Sequence, residues 1–337
     1  MISEIKNIEI KGIAAAVPKL KYYNIKYPFF GDGGFKKFYK FTGIKKKRIA
    51  SKDIYTSTLV KSAAEKLIKK LNWDKKKIDI IILITQTPDF QTPATAIKLQ
   101  DELKLNKKII AFDINLGCSA FPYGISVMSG LLNSLNLKRG LLLIGDTLSK
   151  VCNYNDRSTF PIFGDAGSAI ALENTKCKKK MYFNFFSDGK SFEDIIIPSY
   201  GLSGRSTSKN KNNFNLRLKG ANVYSFAVND VPKLMTDLII KSKLNDKIKY
   251  CVPHQANKMI VEQIEKKIGL KNLVFLKSYE EFGNTSNTTI PLTMVVNKNF
   301  LKSNNYILAS GFGVGSSISN LIFSLKKNTK LLNLIEI

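Results

Sequence analysis

Short runs of Ile, Leu and Val, interleaved with stretches of helical spacing, constrain this chain most. The runs are "IDIIILIT" (78–85), "IIAFDIN" (109–115), "GLLLIGD" (140–146), "SAIALE" (168–173), "YCVP" (250–253) and "NYILASGF" (305–312). Near-continuous apolar runs of this length fit strands covered on both faces. The stretches 62–72, 120–135, 223–244 and 258–270 repeat apolar residues at helical spacing. Strands alternating with helices predict an α/β architecture. At 337 residues the chain exceeds the size at which one core usually stops growing, so two halves are expected. "ILITQTPD" resembles "YCVPHQAN", and "LLLIGD" resembles "ILASGFG". We therefore divide the chain into 1–175 and 176–337, with the polar stretch 200–215 as a loop or linker. Two copies of one unit would bring strand ends to a shared cleft, where α/β sheets carry their functional groups.

Composition narrows the function classes. Lys+Arg 53 against Asp+Glu 26 gives a net charge of +27. Such a charge suits nucleic acid or an acidic protein partner. The basic residues are scattered in short runs such as 45–47, 75–77 and 178–180, with no basic tail and no aromatic-interleaved Arg stripe. A Lys-rich solvated surface is the simpler reading, and a nucleic-acid role is set aside. None of the 4 cysteines is spaced as C-x-x-C, and 1 histidine is too few for most Cys/His zinc patterns, so no metal is expected. The first residues carry Glu4 and Glu9 and do not read as a signal peptide, and no apolar run is long enough to span a bilayer. These features predict a cytoplasmic protein with reduced thiols.

Chemistry gathers in three clusters. In "DINLGCSAFPYG" (113–124) a strand ends near Asn115 and a helix begins near Cys118. A cysteine at a helix N-terminus is exposed to the positive end of the helix dipole, which favours the thiolate. Taken alone, Cys118 could equally be a small buried hydrophobe. In "VPHQANKM" (252–259) the only histidine, His254, follows a strand and opens a helix, mirroring Cys118 in the other half. In "EEFGNTSNTTIPL" (280–292) a polar turn carries Asn284 ahead of an apolar helix start. Singly, each is also an ordinary helix entrance.

Together, "DINLGCSAF", "PHQAN" and "FGNTS" in that order resemble the β-ketoacyl-acyl-carrier-protein synthase III family of thiolase-fold condensing enzymes. "TGIKKKRIA" (42–50), "DRSTFPIFGDAGSAIAL" (156–172) and "GFGVGSS" (311–317) extend the likeness over nearly the whole chain. The resemblance implies a five-layered αβαβα fold built from two pseudo-duplicated halves, a homodimer, and a triad of Cys118, His254 and Asn284. It implies an acyl-enzyme on Cys118, formed within an oxyanion hole made by the backbone amides of Cys118 and Gly311. It then implies decarboxylative Claisen condensation with malonyl-acyl carrier protein, giving 3-oxoacyl-acyl carrier protein in fatty acid or related acyl-chain biosynthesis. No cofactor is implied beyond coenzyme A or phosphopantetheine thioesters as substrates. A neutral Asn284 suits a donor to the enolate, where an acid would repel it. An acyltransferase that moves the acyl group without decarboxylation is the alternative on the same scaffold.

Several positions depart from the family pattern. The Trp and Arg that clamp the coenzyme A adenine fall on Lys37 and Phe41, and a pantetheine-contacting Asn falls on Ala221. Arg157 keeps a family Arg at the entrance, and Tyr224 lies in the segment "LKGANVY" implied to contact substrate. Thr92 replaces a Phe that caps the partner subunit's acyl pocket, which predicts a longer or more polar primer. Lys258, Lys266 and Lys267 on the helix after His254 are expected to dock an acidic acyl carrier protein.

Overall fold

The fold is that of a computed structural model, which describes residues 2–175, 179–199, 201 and 214–337. Most of the polar stretch 200–215, and Cys177, lie outside the described residues. Two sheets form. The first orders its strands as Lys330–Leu331, Ile8–Val17, Ala166–Asn174, Arg139–Asp146, Ile80–Ile84 and Ile110–Ile114. The second orders them as Ser3–Ile5, Met181–Ser187, Ser317–Ser324, Tyr306–Gly313, Ile248–Pro253 and Val274–Phe275. From the second strand of each list onward, the pairings run antiparallel, antiparallel, parallel, parallel in both sheets. The polarity repeats because each half is the same supersecondary unit. The chain ends are exchanged: Ser3–Ile5 joins the second sheet, while Lys330–Leu331 and Ile335–Glu336 pair in the first.

The runs read as strands are strands because both their faces are covered. Ile80, Ile82 and Ile84 point into a core shared with Phe121, Ile125, Ile290, Leu292 and the second sheet's Ala309 and Leu321. Ile81 and Leu83 point the other way, onto Val60, Ala63, Leu67 and Leu99. Helices Ala120–Ser134 and Thr289–Val296 thus lie between the sheets. Helices Thr56–Leu71 and Thr95–Glu102 cover the first sheet outside. Helices Gly220–Ser242 and Lys258–Ile268 cover the second. The result is the five-layered αβαβα arrangement. Thr289–Val296 is buried nearly all round, so it carries no amphipathic period. Among the described residues no helix is long and apolar enough to cross a membrane.

Candidate active site

The turn from strand Ile110–Ile114 into helix Ala120–Ser134 presents Cys118. Gly117 lets the Gln86 side chain lie close over the turn, since a Cβ would be 2.5 Å from Gln86 Oε1. The turn is pinned to the opposite sheet: Ser319 Oγ donates to the Ser119 carbonyl at 2.7 Å, and Ser119 Oγ meets Ser317 Oγ at 2.7 Å. Strand Ile248–Pro253 delivers His254, whose backbone N–H donates to the Ser310 carbonyl at 2.7 Å. Its ring stands edge-on to Phe312, and its Nδ1 lies 2.7 Å from Thr289 Oγ1.

Asn284 is held by the "DRSTFPIFGDAG" segment. Its N–H donates to the Ile162 carbonyl at 2.9 Å, and Gly164 N–H donates to its carbonyl at 3.0 Å. Gly283 takes φ +65°, and a Cβ there would meet the Ile162 carbonyl oxygen at 2.6 Å. Asn284 Oδ1 accepts the Ser286 N–H at 2.9 Å, which leaves the Nδ2 donors as its free groups. Behind this segment Lys47 is fully buried, with Nζ 3.8 Å from the Phe160 ring and bonded to the Phe160 carbonyl. Burial pushes its pKa down to about 8.

Cys118, His254 and Asn284 all line one cavity of about 490 Å³. Its remaining wall is largely apolar, including Phe38, Leu148, Phe163, Leu216, Met259 and Phe312. Electrostatics there oppose charge. Burial, then the nearby Asp146 carboxylate, push the Cys118 thiol up to about 12, against the Ser286 hydroxyl and the Val314 and Cys118 amides, which favour the thiolate. Desolvation of the buried sulfur thus works against the dipole-lowered thiol expected from the sequence. Burial likewise holds the His254 imidazole down at about 3, so it is neutral, with the Ser286 backbone opposing. Asp146 is buried and raised to about 6 by burial, against donors from Gln86 N–H, Thr85 and Thr87.

The oxyanion reading of Gly311 is also corrected. Gly311 lies behind the nucleophile, where a Cβ would sit 2.7 Å from Ser119 Cα and 2.8 Å from the Cys118 carbonyl oxygen. It is glycine so that strand Tyr306–Gly313 can pass close to the Cys118 turn. The amide that reaches the sulfur belongs to Val314, three residues on, while Gly313 faces Sγ directly.

Arg157 and Tyr224 line the same cavity, as do Lys37 and Phe41, the two residues that depart from the family pattern. Thr92 is exposed on a loop and does not line this chain's own cavity. Lys266 and Lys267 are exposed, and Lys258 is half-buried with its Cβ packed near Gly43. Sequence reasoning missed Gln86, Asp146, Ser286 and Thr289. Asp146 ends an apolar strand and Gln86 lies two residues beyond another, the position at which α/β sheets carry function, and that signal could have found them. Ser286 stood inside the quoted polar turn, with φ +51° that its neighbours do not announce.

The geometry agrees with what known proteins share with this chain. Residues 112–189 match the family described as 3-Oxoacyl-[acyl-carrier-protein (ACP)] synthase III, and residues 241–325 match its C-terminal part. A Fusobacterium nucleatum protein named Beta-ketoacyl-[acyl-carrier-protein] synthase III is 33% identical over 326 residues, covering 94% of this chain and 98% of its own. A Halalkalibacterium halodurans protein named Beta-ketoacyl-[acyl-carrier-protein] synthase III 2 is 34% identical over 324 residues, covering 94% and 96%. A 3-oxoacyl-(acyl-carrier protein) synthase structure from Burkholderia xenovorans superposes with a TM-score of 0.93 at 31% identity, covering 100% of this chain and 99% of that one. Matches at this identity over nearly the full length, on a fold that brings cysteine, histidine and asparagine to one cavity, mean that the chain belongs to the 3-oxoacyl-[acyl-carrier-protein] synthase III family.

Proposed function

We propose that this protein joins a Cys118-bound acyl primer to malonyl-acyl carrier protein by decarboxylative Claisen condensation, releasing 3-oxoacyl-acyl carrier protein. The observation that carries the reading is the shared cavity of Cys118, His254 and Asn284. Cys118 sulfur attacks the primer thioester, an S–acyl bond forms, the old C–S bond breaks, and the leaving sulfur takes the thiol proton. The amides of Cys118 and Val314 hold the tetrahedral oxyanion. A malonyl thioester then loses carbon dioxide, and the electron pair delocalises onto its thioester oxygen. Asn284 Nδ2 and His254 Nε2 donate to that oxygen. For His254 this requires the proton on Nε2. The Thr289 hydroxyl stands 2.7 Å from Nδ1 and 3.1 Å from the Ser286 carbonyl, and its single proton serves one of them; the reaction uses the arrangement in which it goes to Nδ1, which leaves Nδ1 an acceptor and Nε2 an N–H. A neutral imidazole fits this role better than a charged one, because its burial excludes the imidazolium. The enolate carbon attacks the acyl group, and Cys118 leaves and regains a proton.

The primer arrives on coenzyme A or on a carrier protein, with Arg157, Tyr224, Lys37 and Phe41 at the substrate passage. Lys266 and Lys267 offer exposed positive charge to an acidic carrier protein. Two copies pair through the Ile110–Ile114 strand, which closes one edge of the first sheet with a half-buried apolar face and needs a partner. Thr92 then serves the neighbouring copy's pocket. The test is carbon dioxide release from malonyl-acyl carrier protein. Asn284→Asp places a carboxylate against the enolate and is expected to lower release about a hundredfold or more, with acylation of Cys118 retained. Equal release from the variant would contradict the role given to Asn284, and no release from the wild type would favour acyl transfer without decarboxylation.

A further inference from the structure

Gln86 is a polar side chain of the cavity that the mechanism leaves unused. It lies two residues beyond the strand Ile80–Ile84, where its N–H donates to Asp146 Oδ1 at 2.8 Å. That bond fixes its backbone against a buried carboxylate. Its side chain lies over the Cys118 turn, since a Cβ on Gly117 would be 2.5 Å from Oε1 and 3.0 Å from Cδ. Ser286 Oγ donates toward the same Oε1 at 3.5 Å. The one side-chain hydrogen bond of Gln86 thus falls on its oxygen. Nε2 makes no hydrogen bond among the described residues, and Gln86 lines the cavity together with Cys118, Asn284 and Val314.

A plain alkyl chain on Cys118 would cover Nε2, strip it of water and return nothing. A donor buried without a partner weakens binding. An acyl group with an oxygen near its thioester end would replace that water. A carboxylate is the wrong oxygen, because Asp146 is buried beside the same turn and carries no counter-charge. We propose that Gln86 is a specificity-determining residue that selects primers carrying a neutral hydroxyl or keto oxygen close to the thioester, a claim that rests on Cys118 being the acylated residue. Sites built to hydrogen-bond a substrate hydroxyl discriminate strongly against analogues without it.

The full chain is incubated separately with butyryl-coenzyme A and 3-hydroxybutyryl-coenzyme A, and the rate of mass gain on Cys118 is followed by intact-mass spectrometry. The expected wild-type rate ratio favours the hydroxyacyl probe by about tenfold or more. Gln86→Met keeps length and removes the donor, and is expected to bring the ratio to about one. A wild-type ratio near one overturns the proposal without any variant, and so does a preference that survives in Gln86→Met. Acylation by acetyl-coenzyme A with neither probe accepted overturns it while leaving Cys118 as the nucleophile. No adduct from any thioester overturns both.

Discussion

At the scale of single residues, the site is neutral at rest and prepared for charge that develops only during reaction. Cys118 is held as a thiol near pKa 12 and His254 as an imidazole near 3, each chiefly by burial. His254 therefore carries a linkage with a definite sign. An unfolded histidine titrates at about 6.5. Between that value and about 3 the unfolded chain binds a proton that the folded chain refuses, so stability falls as pH falls through this window. His254→Asn removes that one contribution. The stability difference between wild type and variant, from urea melts at pH 7 and pH 4.5, is expected to shift against the wild type at the lower pH; a constant difference would contradict the neutral assignment. Cys118 and His254 were legible as chemically distinctive residues after strand ends, and Asn284 as a polar residue in the turn ahead of an apolar helix. The protonation state was not, because desolvation depends on how many atoms of distant segments cover the sulfur. The donor amide was misplaced onto Gly311 for a related reason: a Gly-rich turn announces itself, while a backbone N–H at Val314 carries no side-chain signature.

At the scale of elements, the second half's polar turn depends on a segment far away in sequence. Ile162 and Gly164 bracket Asn284 with two backbone bonds, and Lys47 ties down the Phe160 carbonyl just before them. Gly283→Ala would force a Cβ into the Ile162 carbonyl at a positive φ. We expect a loss of about 1–3 kcal/mol in stability and a larger fall in carbon dioxide release than in Cys118 acylation. Circular-dichroism melts and the two activity assays check this, and an equal fall in both activities would show that Gly283 does not act through Asn284. Helix bounds followed the apolar period closely: 120–135 became Ala120–Ser134, and 258–270 became Lys258–Ile268. The Thr56–Leu71 helix began earlier than its period suggests. The Ile8–Val17 strand was not read from the sequence, because its Ala-rich end suits a helix by propensity and is a strand only through pairing on two sides. The buried Thr289–Val296 helix had no polar face to mark it.

At the scale of the molecule, a charge of +27 meets a substrate carrier that the family reading makes acidic. The wall of the cavity includes Asn257, Met259 and Ile260, so the helix that bears Lys266 and Lys267 begins at the site and runs outward from it. Lys267→Glu is expected to raise KM for malonyl-acyl carrier protein several-fold at low salt, an effect that shrinks as ionic strength rises. Acylation by a coenzyme A thioester should not follow it. A KM that ignores both the substitution and salt would remove this helix from the docking surface.

The account stands or falls on whether the acyl group leaves Cys118 by carbon–carbon bond formation. Acyl-enzyme prepared with a labelled primer and freed of excess thioester is chased with malonyl-acyl carrier protein, with the label on Cys118 and the released carbon dioxide measured together. The expected result is loss of label from Cys118 matched one-for-one by carbon dioxide, with the label recovered in 3-oxoacyl-acyl carrier protein. Label that leaves Cys118 without carbon dioxide, or carbon dioxide released while the label stays, would contradict it.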